Sequence, residues 1–414
     1  MHNRKKVLVV TQYFWPEEFR VNELVKKLVS SGCDVDVLTG RPNYPDGTIY
    51  EDFICAAHKY DDYFGASVFR VKNRPRGTTK ASLCLNYISF AFLASIYLFK
   101  NLGSKRYDSI IAVQLSPIFS VIPALLFGWY HNVKVTTWVM DLWPDILSAL
   151  NVVSNRFILS LIAFISSLIY RFSDSLLISS EGFRSRLREL GVKNDSIHYF
   201  PQWVEDVMET SDIASTQEYK EIETLLNTYS HLKKIVFTGN IGECQDLPSV
   251  LKAINLLKYR SDFVVLIVGS GREEKRLSQL IDVNGLRKHI KMLGRFPVEY
   301  MPSFYHFSDA LLLPLAKDPL FEITLPGKTQ SYLNAGRPII GFLDGEGAAV
   351  LRHAKSGYLC GAGKYEELAT VIETFCDASQ SQLNDFGLSA RRYSEKHFLS
   401  DTVMGTLFDV CDLK

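Results

Sequence analysis

The chain has 414 residues, which is too many for one ordinary hydrophobic core, so two domains of roughly 200 residues each are expected. Its 47% hydrophobic and 22% charged residues are typical of a folded protein and exclude a disordered one. A net charge of +1 excludes the broadly basic surface of a typical nucleic-acid-binding protein. The seven cysteines form no CxxC pair and no cluster with histidine, which predicts a reducing cytoplasm rather than a disulfide framework.

The first half of the chain predicts strands that alternate with helices. An apolar, β-branched run at 7–11 is too short for a signal peptide and is expected to be the first strand. Apolar residues at helical spacing predict a helix over 16–30, which Gly32 ends, before a strand at 35–39. Later strands are predicted at 110–113, 133–139, 175–179 and 197–200. This alternation predicts a parallel, doubly wound sheet.

One segment of the first half approaches the length and composition of a membrane helix. Residues 81–99 carry no charge and lie between two lysines. Polar residues and tyrosines spread through the segment favour a buried or surface-lying helix over a spanning one. A basic stretch at 70–80 precedes it, and apolar helices are also predicted at 119–129 and 157–170. The basic stretch is either a solvated loop or an attraction to an anionic leaflet, and we expect peripheral attachment to the inner face of the plasma membrane.

The pattern changes in the middle of the chain and then restarts. A polar stretch at 206–233 predicts a linker that includes one helix. Strands are then predicted at 235–239, 263–269, 290–293, 310–314 and 338–342, with helices at 247–258 and 273–283. We therefore expect two Rossmann-like domains, at 1–205 and 234–385, with a cleft between them.

The sequence LPGKTQSYLNAGRPIIG at 325–341 carries the strongest functional signal. It follows an apolar strand and Glu322, and it predicts a loop with Lys328, a short helix and another strand. The N–H groups and dipole of that helix N-terminus, beside a lysine at the carboxyl end of a parallel sheet, form a seat for nucleotide phosphates. Two glycine turns, FTGNIG at 237–242 and VGSG at 268–271, also follow apolar strands. Ordinary strand–helix turns explain each alone about as well, but with Lys328 they favour a phosphate site.

Further stretches complete a pattern that covers nearly the whole chain. The chain opens with VLVVTQYFWPEEFRVNELVKKLVSSGCDVDVLTGRPNYPDG and continues with MDLWPD, SSEGFRSRLRELGV, FPQWVED and TGNIGECQDL. In this order the stretches resemble the bacterial family-4 glycosyltransferases, and within them the fucosamine-transferase-like subgroup of O-antigen, capsule and colanic-acid biosynthesis. The resemblance implies the GT-B fold, an α/β architecture of two Rossmann-like doubly wound domains with an interdomain cleft. It also implies retention of anomeric configuration, no metal requirement, and final helices at 386–414 that pack back on the first domain.

The resemblance also implies roles for residues of the second domain. Lys328 and the glycine turn would hold the diphosphate and stabilise the charge that grows as UDP leaves, whereas Glu322 would contact the hydroxyls of the donor sugar. The residues implied for the glycine turn are Gly239, Asn240, Ile241 and Gly242. Uracil would lie near the GRFP sequence, which comprises Gly294, Arg295, Phe296 and Pro297.

In the first domain the resemblance implies an acceptor side. Asp141, after an apolar strand, would face the acceptor, and Trp143 would offer an aromatic platform for a sugar face. The alternative for Asp141 is a helix N-cap for the segment entered at Pro144. Residues 16–20 would close the cleft, with Pro16 in the loop and Arg20 meeting a phosphate.

The sequence departs from the wider family at two places. The family has a second glutamate that binds ribose, but counting from the two ends of the motif reaches Gln330 or Ser331 here, and either could hydrogen-bond a ribose hydroxyl. An arginine and a lysine of the family appear as Asn240 and Gln245, so charge compensation falls more heavily on Lys328. Both departures match the subgroup.

An acidic pair, Asp34 and Asp36, has the DVD spacing of the metal-binding pair of other glycosyltransferases. Its place in an alternating strand favours a surface pair at the strand edge. Since no other metal constellation is evident, no divalent metal and no cofactor are expected.

The function that follows is a metal-independent, retaining hexosyltransferase (EC 2.4). The donor expected first is UDP-L-FucNAc and the acceptor is an undecaprenyl-diphosphate-linked sugar, while the donor, the linkage and the oligomeric state stay open. Two alternatives remain. A sugar-nucleotide 2-epimerase of GT-B fold would need no lipid acceptor, and a non-catalytic membrane-associated assembly partner would turn nothing over.

Overall fold

The computed structural model describes residues 4–45, 47–77, 79–149, 153, 155–205 and 213–414. The chain divides into two compact units. Unit 1 comprises Met1–Phe200 and Met404–Lys414, and unit 2 comprises Pro201–Val403. Thus residues 386–403 of the segment that was expected to pack on the first domain belong to unit 2.

Unit 1 is built on an eight-stranded sheet. In chain order its strands are β1 (Lys6–Val10), β2 (Asp34–Thr39), β3 (Asp62–Tyr63), β4 (Ala66–Arg70), β5 (Ser109–Gln114), β6 (Val135–Val139), β7 (Ser175–Ile178) and β8 (Ile197–Tyr199). The spatial order is β3-β4-β2-β1-β5-β6-β7-β8, and every pair is parallel except β3 with β4. The apolar side chains of β1, Val7 to Val10, are fully buried, as expected for a strand covered on both faces.

Helices connect these strands. They are α1 (Arg20–Ser30), α2 (Glu51–Cys55), α3 (Lys80–Tyr97), α4 (Ile122–His131), α5 (Asp145–Ala149), α6 (Arg156–Phe172) and α7 (Phe183–Glu189). The first helix begins at Arg20 and not at residue 16 as predicted, so Pro16 lies in the preceding turn. Thr79 caps α3 by accepting a hydrogen bond from the Ser82 N–H, and Asn155 caps α6 in the same way.

Unit 2 has a six-stranded sheet in which all strands are parallel. The strands are β9 (Lys233–Thr238), β10 (Phe263–Val268), β11 (Ile290–Gly294), β12 (Ala310–Pro314), β13 (Ile339–Phe342) and β14 (Gly357–Cys360), in the order β11-β10-β9-β12-β13-β14. Alternate residues of β9 enter different hydrophobic clusters: Ile235 and Phe237 one, Val236 the other. This alternation means that both faces of the sheet are covered.

The helices of unit 2 are α8 (Gln217–Asn227), α9 (Leu247–Leu256), α10 (Glu274–Val283), α11 (Met301–His306), α12 (Pro319–Glu322), α13 (Thr329–Asn334), α14 (Gly345–His353), α15 (Tyr365–Asp377) and α16 (Gln380–His397). Residues 206–212 of the expected linker lie outside the described residues. The helix predicted within it is α8, which buries Ile222 and Leu226 in the core of unit 2. The last helix, α17 (Ser400–Val410), crosses the boundary between the units at Met404.

The end of the chain completes unit 1. Leu407 is fully buried, and the Cys411 thiol lies 3.5 Å from Thr136 Oγ1 on β6, to which it donates a hydrogen bond. The Asp412 carboxylate pairs with Lys134 at 3.2 Å. The final residues are therefore part of the packing of the first unit.

The acidic pair of β2 differs from the expectation. Asp34 is exposed and pairs with Lys6, but Asp36 is buried. The Asp36 carboxylate accepts hydrogen bonds from Lys105 Nζ at 2.7 Å and from the Tyr107 hydroxyl at 2.6 Å. The prediction of a surface pair was wrong for Asp36, because the Lys105 ammonium pairs with the carboxylate and the Tyr107 hydroxyl donates a hydrogen bond to it inside the unit.

Candidate functional site

Lys328 lies immediately before α13, with its ammonium against β9 and the turn that follows. Its Nζ is 3.9 Å from the centre of the Phe237 ring, and a Cβ atom added to Gly239 would lie only 2.7 Å from this Nζ. Gly239 has a φ of +120° and its lack of a side chain therefore makes room for the lysine. Burial lowers the pKa of Lys328 to about 7, and no charge in the described part of the chain offsets that burial.

The N–H groups of the glycine turn are mostly occupied. Three of the four predicted phosphate donors bond inside the unit: Gly239 to Val268 O at 2.8 Å, Ile241 to Ser270 O at 2.9 Å, and Gly242 to Gln245 Oε1 at 3.1 Å. The role of these N–H groups towards the diphosphate stays a prediction, and three of the groups already have a partner inside the unit. In this structure the turn shapes the space for Lys328.

The GRFP sequence lies beside the second glycine turn. The Gly269 N–H donates to the Gly294 carbonyl at 2.7 Å, and Gly294 has a φ of +80°. Arg295 and Pro297 are exposed, whereas Phe296 packs edge-on against Phe304 with ring centroids 5.0 Å apart. The structure thus brings this stretch next to the strand ends of β10 and β11, and its role towards uracil stays a prediction.

Glu322 is the last residue of α12 and its side chain is exposed. Asp318 caps this short helix by accepting a hydrogen bond from the Leu320 N–H at 2.8 Å. Gly345, with a φ of +66°, packs directly on the Glu322 backbone, where any Cβ atom would clash. Glu322 is therefore held at the backbone while its carboxylate reaches solvent.

Gln330 and Ser331 are both buried in α13, with 1% and 3% exposure. Gln330 Oε1 has no hydrogen-bond partner among the described residues. Ser331 Oγ donates to the carboxylate of Glu205 at 3.2 Å. Glu205 belongs to the FPQWVED stretch, and no role was predicted for it, since nothing in a linear sequence links it to a residue so far along the chain.

In unit 1, Asp141 follows β6 and lies next to the end of β5. Its carboxylate accepts a hydrogen bond from Ser116 Oγ at 2.7 Å, and Gln114 Nε2 donates to its backbone carbonyl at 2.8 Å. Burial raises the pKa of Asp141, and the hydrogen bonds from Ser116 oppose that rise. Its partner is thus Ser116 rather than the N–H groups of α5, which the cap alternative required.

Trp143 differs from the open platform that was expected. Its side chain is 3% exposed and packs against Phe119 with ring centroids 6.1 Å apart. The indole Nε1 donates to Ser116 Oγ at 3.2 Å, so Trp143 helps to orient the hydroxyl that bonds Asp141. The prediction that this ring stacks on a sugar was wrong, because the ring is already covered by protein.

An arginine and three tyrosines form a cluster for which no role was predicted, and one of these tyrosines, Tyr87, interacts with the charge of Asp141. The Arg76 guanidinium lies 5.3 Å from the centre of the Tyr44 ring and donates to the Tyr13 hydroxyl at 3.4 Å. Burial raises the pKa of Tyr87, with Arg76 opposing and Asp141 adding to the rise, so both charges lie within range of that hydroxyl. Arg76 belongs to the basic stretch at 70–80, which was the one feature of the sequence that could have indicated a role for it.

The loop that contains Pro16 is held by a buried glutamate. Glu17 accepts hydrogen bonds from the Asn43 and Tyr44 N–H groups, each at 2.7 Å, and from the Phe14 N–H at 3.2 Å. Burial raises the pKa of Glu17, and the three backbone donors lower it. Arg20 lies one turn later, where it pairs with Glu23 at 3.0 Å. The carboxylate therefore stabilises the loop, and the role of Arg20 towards a phosphate stays a prediction.

Three helices of unit 1 carry a broad apolar surface. It is made of exposed side chains of α3, α4 and α6, which are Leu85, Ile88, Phe92, Ile96, Leu126, Trp129, Tyr130, Phe157, Ile158, Leu161, Phe164 and Phe172. Helix α4 contacts both α3 and α6. Within Ala81–Leu102, 18 consecutive residues have a mean hydropathy of 1.7 with 22% of them buried, and by length and composition this helix could cross a membrane. We call this surface the apolar face.

Two family models match the chain, one in each half. The model described as glycosyl transferase 4-like domain matches residues 18–203, and the model described as glycosyl transferases group 1 matches residues 218–393. Among curated proteins, WcaI of Escherichia coli (strain K12), assigned as a colanic acid biosynthesis glycosyl transferase, is 24% identical over 388 residues. That alignment covers 89% of this chain and 86% of WcaI.

Solved structures share the whole architecture at low sequence identity. A glycosyltransferase from Rickettsia africae ESF-5 has a TM-score of 0.68 and 16% identity, over 100% of this chain and 99% of the other. HepE of Anabaena, in complex with UDP and glucose, has a TM-score of 0.70 and 14% identity, over 99% and 100%. Together with the two family matches, the parallel sheets of both units identify this chain as a glycosyltransferase of the GT-B fold.

Proposed function

We propose that this protein transfers a sugar from a UDP-sugar to a lipid-diphosphate-linked acceptor during assembly of a bacterial surface polysaccharide. The observation that carries the proposal is the ammonium of Lys328. It lies against Phe237 and Gly239 with no offsetting charge among the described residues. A desolvated cation without a partner favours an anionic ligand, and a nucleotide diphosphate supplies one.

The donor type has two lines of support. HepE, which shares the fold, binds UDP and glucose, and the GRFP sequence of this chain lies beside the glycine turns of unit 2. We infer a UDP-linked N-acetylated deoxyhexosamine, with UDP-L-FucNAc as the first donor to test, from the resemblance to the fucosamine-transferase-like subgroup. WcaI, a relative assigned to colanic acid biosynthesis, supports a role in polysaccharide assembly, of O-antigen or capsule type.

The acceptor proposal rests on unit 1. The apolar face and the basic residues at 70–76 suit an acceptor that is carried by a lipid, such as an undecaprenyl-diphosphate-linked sugar. We propose peripheral attachment at the inner face of the plasma membrane. Exposed aromatic side chains on three adjoining helices support this placement. A sugar-nucleotide 2-epimerase would not need such a surface, because it has no lipid-linked acceptor.

The proposed mechanism is transfer with retention and without a metal ion. The leaving diphosphate oxygen takes the proton of the acceptor hydroxyl on the same face of the sugar. Lys328 stabilises the negative charge that develops on that diphosphate, Glu322 orients the donor sugar, and Asp141 orients the acceptor hydroxyl. Within the described residues no group of three His, Cys, Asp or Glu could hold a metal ion.

The test is UDP release from a panel of UDP-amino sugars, with and without a lipid-diphosphate GlcNAc acceptor, in EDTA. We expect release that requires the acceptor and survives EDTA, with the anomeric configuration retained in the product. Conversion of the donor sugar without acceptor would establish the epimerase instead. UDP binding without turnover on any donor–acceptor pair would favour the non-catalytic partner.

A further inference from the structure

The ribose of a nucleotide carries two neighbouring hydroxyls, and a carboxylate is well suited to bind them. Its two oxygens accept from both hydroxyls at once, and a charged acceptor roughly doubles the strength of each bond. Helix α13 offers an amide and a hydroxyl at Gln330 and Ser331, both buried. The carboxylate that meets this part of the helix comes from another part of unit 2.

That carboxylate is Glu205. Its Oε2 accepts a hydrogen bond from Ser331 Oγ at 3.2 Å. Glu205 is half-buried, so a ligand can reach it, whereas Ser331 is buried. The Ser331 hydroxyl thus donates its proton to Glu205 rather than to a ligand. This bond fixes one oxygen of the Glu205 carboxylate.

The chain before Glu205 is rigidly placed. Trp203 and Val204 are fully buried, and the Val204 N–H donates to the Phe398 carbonyl at 2.9 Å. The Gln202 side-chain oxygen lies 3.1 Å from the position a Cβ atom of Gly327 would take. The segment 202–205 therefore runs along the turn that leads from Gly327 into α13.

The spacing along α13 fits a nucleotide. Ser331 follows Lys328, the residue before α13, by three residues, so the two lie on one side of the helix, about 4.5 Å apart along its axis. In a nucleoside diphosphate the ribose is joined directly to the first phosphate. Phosphates at Lys328 therefore bring the ribose hydroxyls towards the carboxylate that Ser331 holds.

We propose that Glu205 binds the ribose hydroxyls of the donor nucleotide and that Ser331 is its positioning residue. This inference rests on the proposed UDP-sugar donor. It explains how the site has a ribose-binding carboxylate although neither Gln330 nor Ser331 is a glutamate. It also predicts that the protein prefers ribonucleotides over their deoxy forms through one identifiable side chain.

The test compares the binding of UDP, 2′-deoxy-UDP and 3′-deoxy-UDP by calorimetry. The wild-type protein is expected to bind each deoxy form about 10- to 100-fold more weakly than UDP, as for the loss of a hydrogen bond to a charged group. Glu205→Gln should bind UDP more weakly than the wild-type protein does, by a similar factor. Its affinities for the three nucleotides should differ by less than about threefold. Glu395→Gln, an exposed glutamate of α16 that pairs with Arg391, is the matched control and should behave as wild type.

Ser331→Ala keeps the charge of Glu205 and removes only the hydroxyl that holds it. We expect an intermediate preference for UDP over the deoxy forms, and this variant decides the matter if Glu205→Gln does not fold. If a folded Glu205→Gln or Ser331→Ala protein preferred UDP over the deoxy forms as strongly as the wild type, Glu205 would not be the residue that binds the ribose. The proposed nucleotide site would be unaffected by that result. A wild-type protein that binds no UDP would overturn the proposed function itself.

Discussion

The ammonium of Lys328 is held against an aromatic ring and a glycine backbone rather than against a carboxylate. This arrangement disfavours the charged form, which is why the pKa of Lys328 falls from 10.5 to about 7. Below pH 7 the folded protein must keep the buried charge. Above it, the folded protein avoids that cost by releasing the proton, while the unfolded chain keeps it up to about pH 10.5.

Replacing Lys328 with methionine, a side chain of similar length, removes this cost. We expect Lys328→Met to be more stable than wild type below pH 7, with a difference that shrinks as the pH rises from about 7 towards 10.5. Urea unfolding midpoints of both proteins at about pH 6 and about pH 9 measure the effect.

The matched control is Lys364→Met, which removes an exposed lysine of the same unit that pairs with Glu367. It should lower stability slightly or not at all, without the same dependence on pH. An equal gain from Lys328→Met at both pH values would contradict the account, because it would show that the charge of Lys328 is not what destabilises the fold.

At the scale of single residues, the sequence located Lys328 and Asp141 but not their surroundings. A motif indicates which side chain follows which strand, and this was enough to place both at strand ends. It does not indicate burial, so Trp143 was interpreted as an open ring, and Gln330 or Ser331 as a direct ribose contact. Partners distant along the chain, such as Glu205 for Ser331 and Ser116 for Asp141, depend on tertiary packing that periodicity does not report.

Among the helices and strands, the three helices that form the apolar face most clearly indicate a binding partner. Trp129 of α4 is 84% exposed and Phe157 of α6 is 89% exposed. Exposed aromatic groups on adjoining helices are costly in water and favourable at a lipid interface. Lys72 and Arg74, which are exposed a few residues before α3, add attraction to anionic lipid.

We expect the combined change Phe92→Ser, Trp129→Ser, Phe157→Ser and Phe164→Ser to weaken binding to vesicles of anionic and zwitterionic phospholipid. Each ring loses on the order of 1 kcal/mol of burial in the interface, so the partition coefficient should fall at least about 100-fold. Sedimentation with vesicles measures it, and raising the salt concentration should weaken the wild type as well.

The control for this experiment removes exposed apolar side chains from unit 2. Tyr259→Ser, Val283→Ser and Leu388→Ser together remove exposed apolar surface without touching the apolar face. Vesicle binding should be unchanged, and UDP affinity should be intact in both combined variants. Undiminished vesicle binding by the first variant would refute a membrane role for this face.

Most elements were predictable because their apolar residues have the right period. The long strands of both sheets and helices such as α9 and α10 lie within a few residues of the predicted positions. The strands β3, β4 and β14 were missed, since β3 has only two residues and neither ASVFR of β4 nor GYLC of β14 is a continuous apolar run. Helix α1 begins later than predicted because residues 16–19 form a turn around the buried Glu17.

At the scale of the molecule, the two units are proposed to carry different steps, and single variants can separate them. Asp141→Asn should reduce transfer by about 100-fold or more, because the acceptor hydroxyl loses a charged partner that orients it. UDP affinity should be unchanged, because Lys328 and the glycine turns are in the other unit. Acceptor-dependent UDP release and calorimetric UDP binding measure the two quantities.

The raised pKa of Asp141 adds a pH dependence to the same experiment. The ionised carboxylate is lost earlier than for an ordinary aspartate as the solution is acidified, so wild-type transfer should fall in mildly acidic solution. Asp195→Asn, an exposed change in the same unit, should leave the pH profile and the rate as they are. Full transfer by Asp141→Asn would remove this residue from the site.

The fold could be predicted at this scale, whereas the boundaries of the units could not. Strand–helix alternation in each half sufficed for two doubly wound domains. The restart of the pattern near residue 235 suggested a linker before it, yet α8 belongs to the core of unit 2. Which unit a terminal helix joins depends on the surface it covers, and only the structure contains that information.

Residues 404–414 belong to unit 1. Synthesis of unit 1 therefore begins first, but its packing cannot be completed until the end of the chain has been made. At about 5–20 residues per second, the roughly 200 residues of unit 2 take roughly 10–40 s to emerge before Leu407 and Cys411 can reach their places. During that interval a nascent chain presents the apolar face and the uncovered end of β6 together. Ribosomes translating this protein are therefore expected to recruit chaperones or the membrane itself well before translation ends.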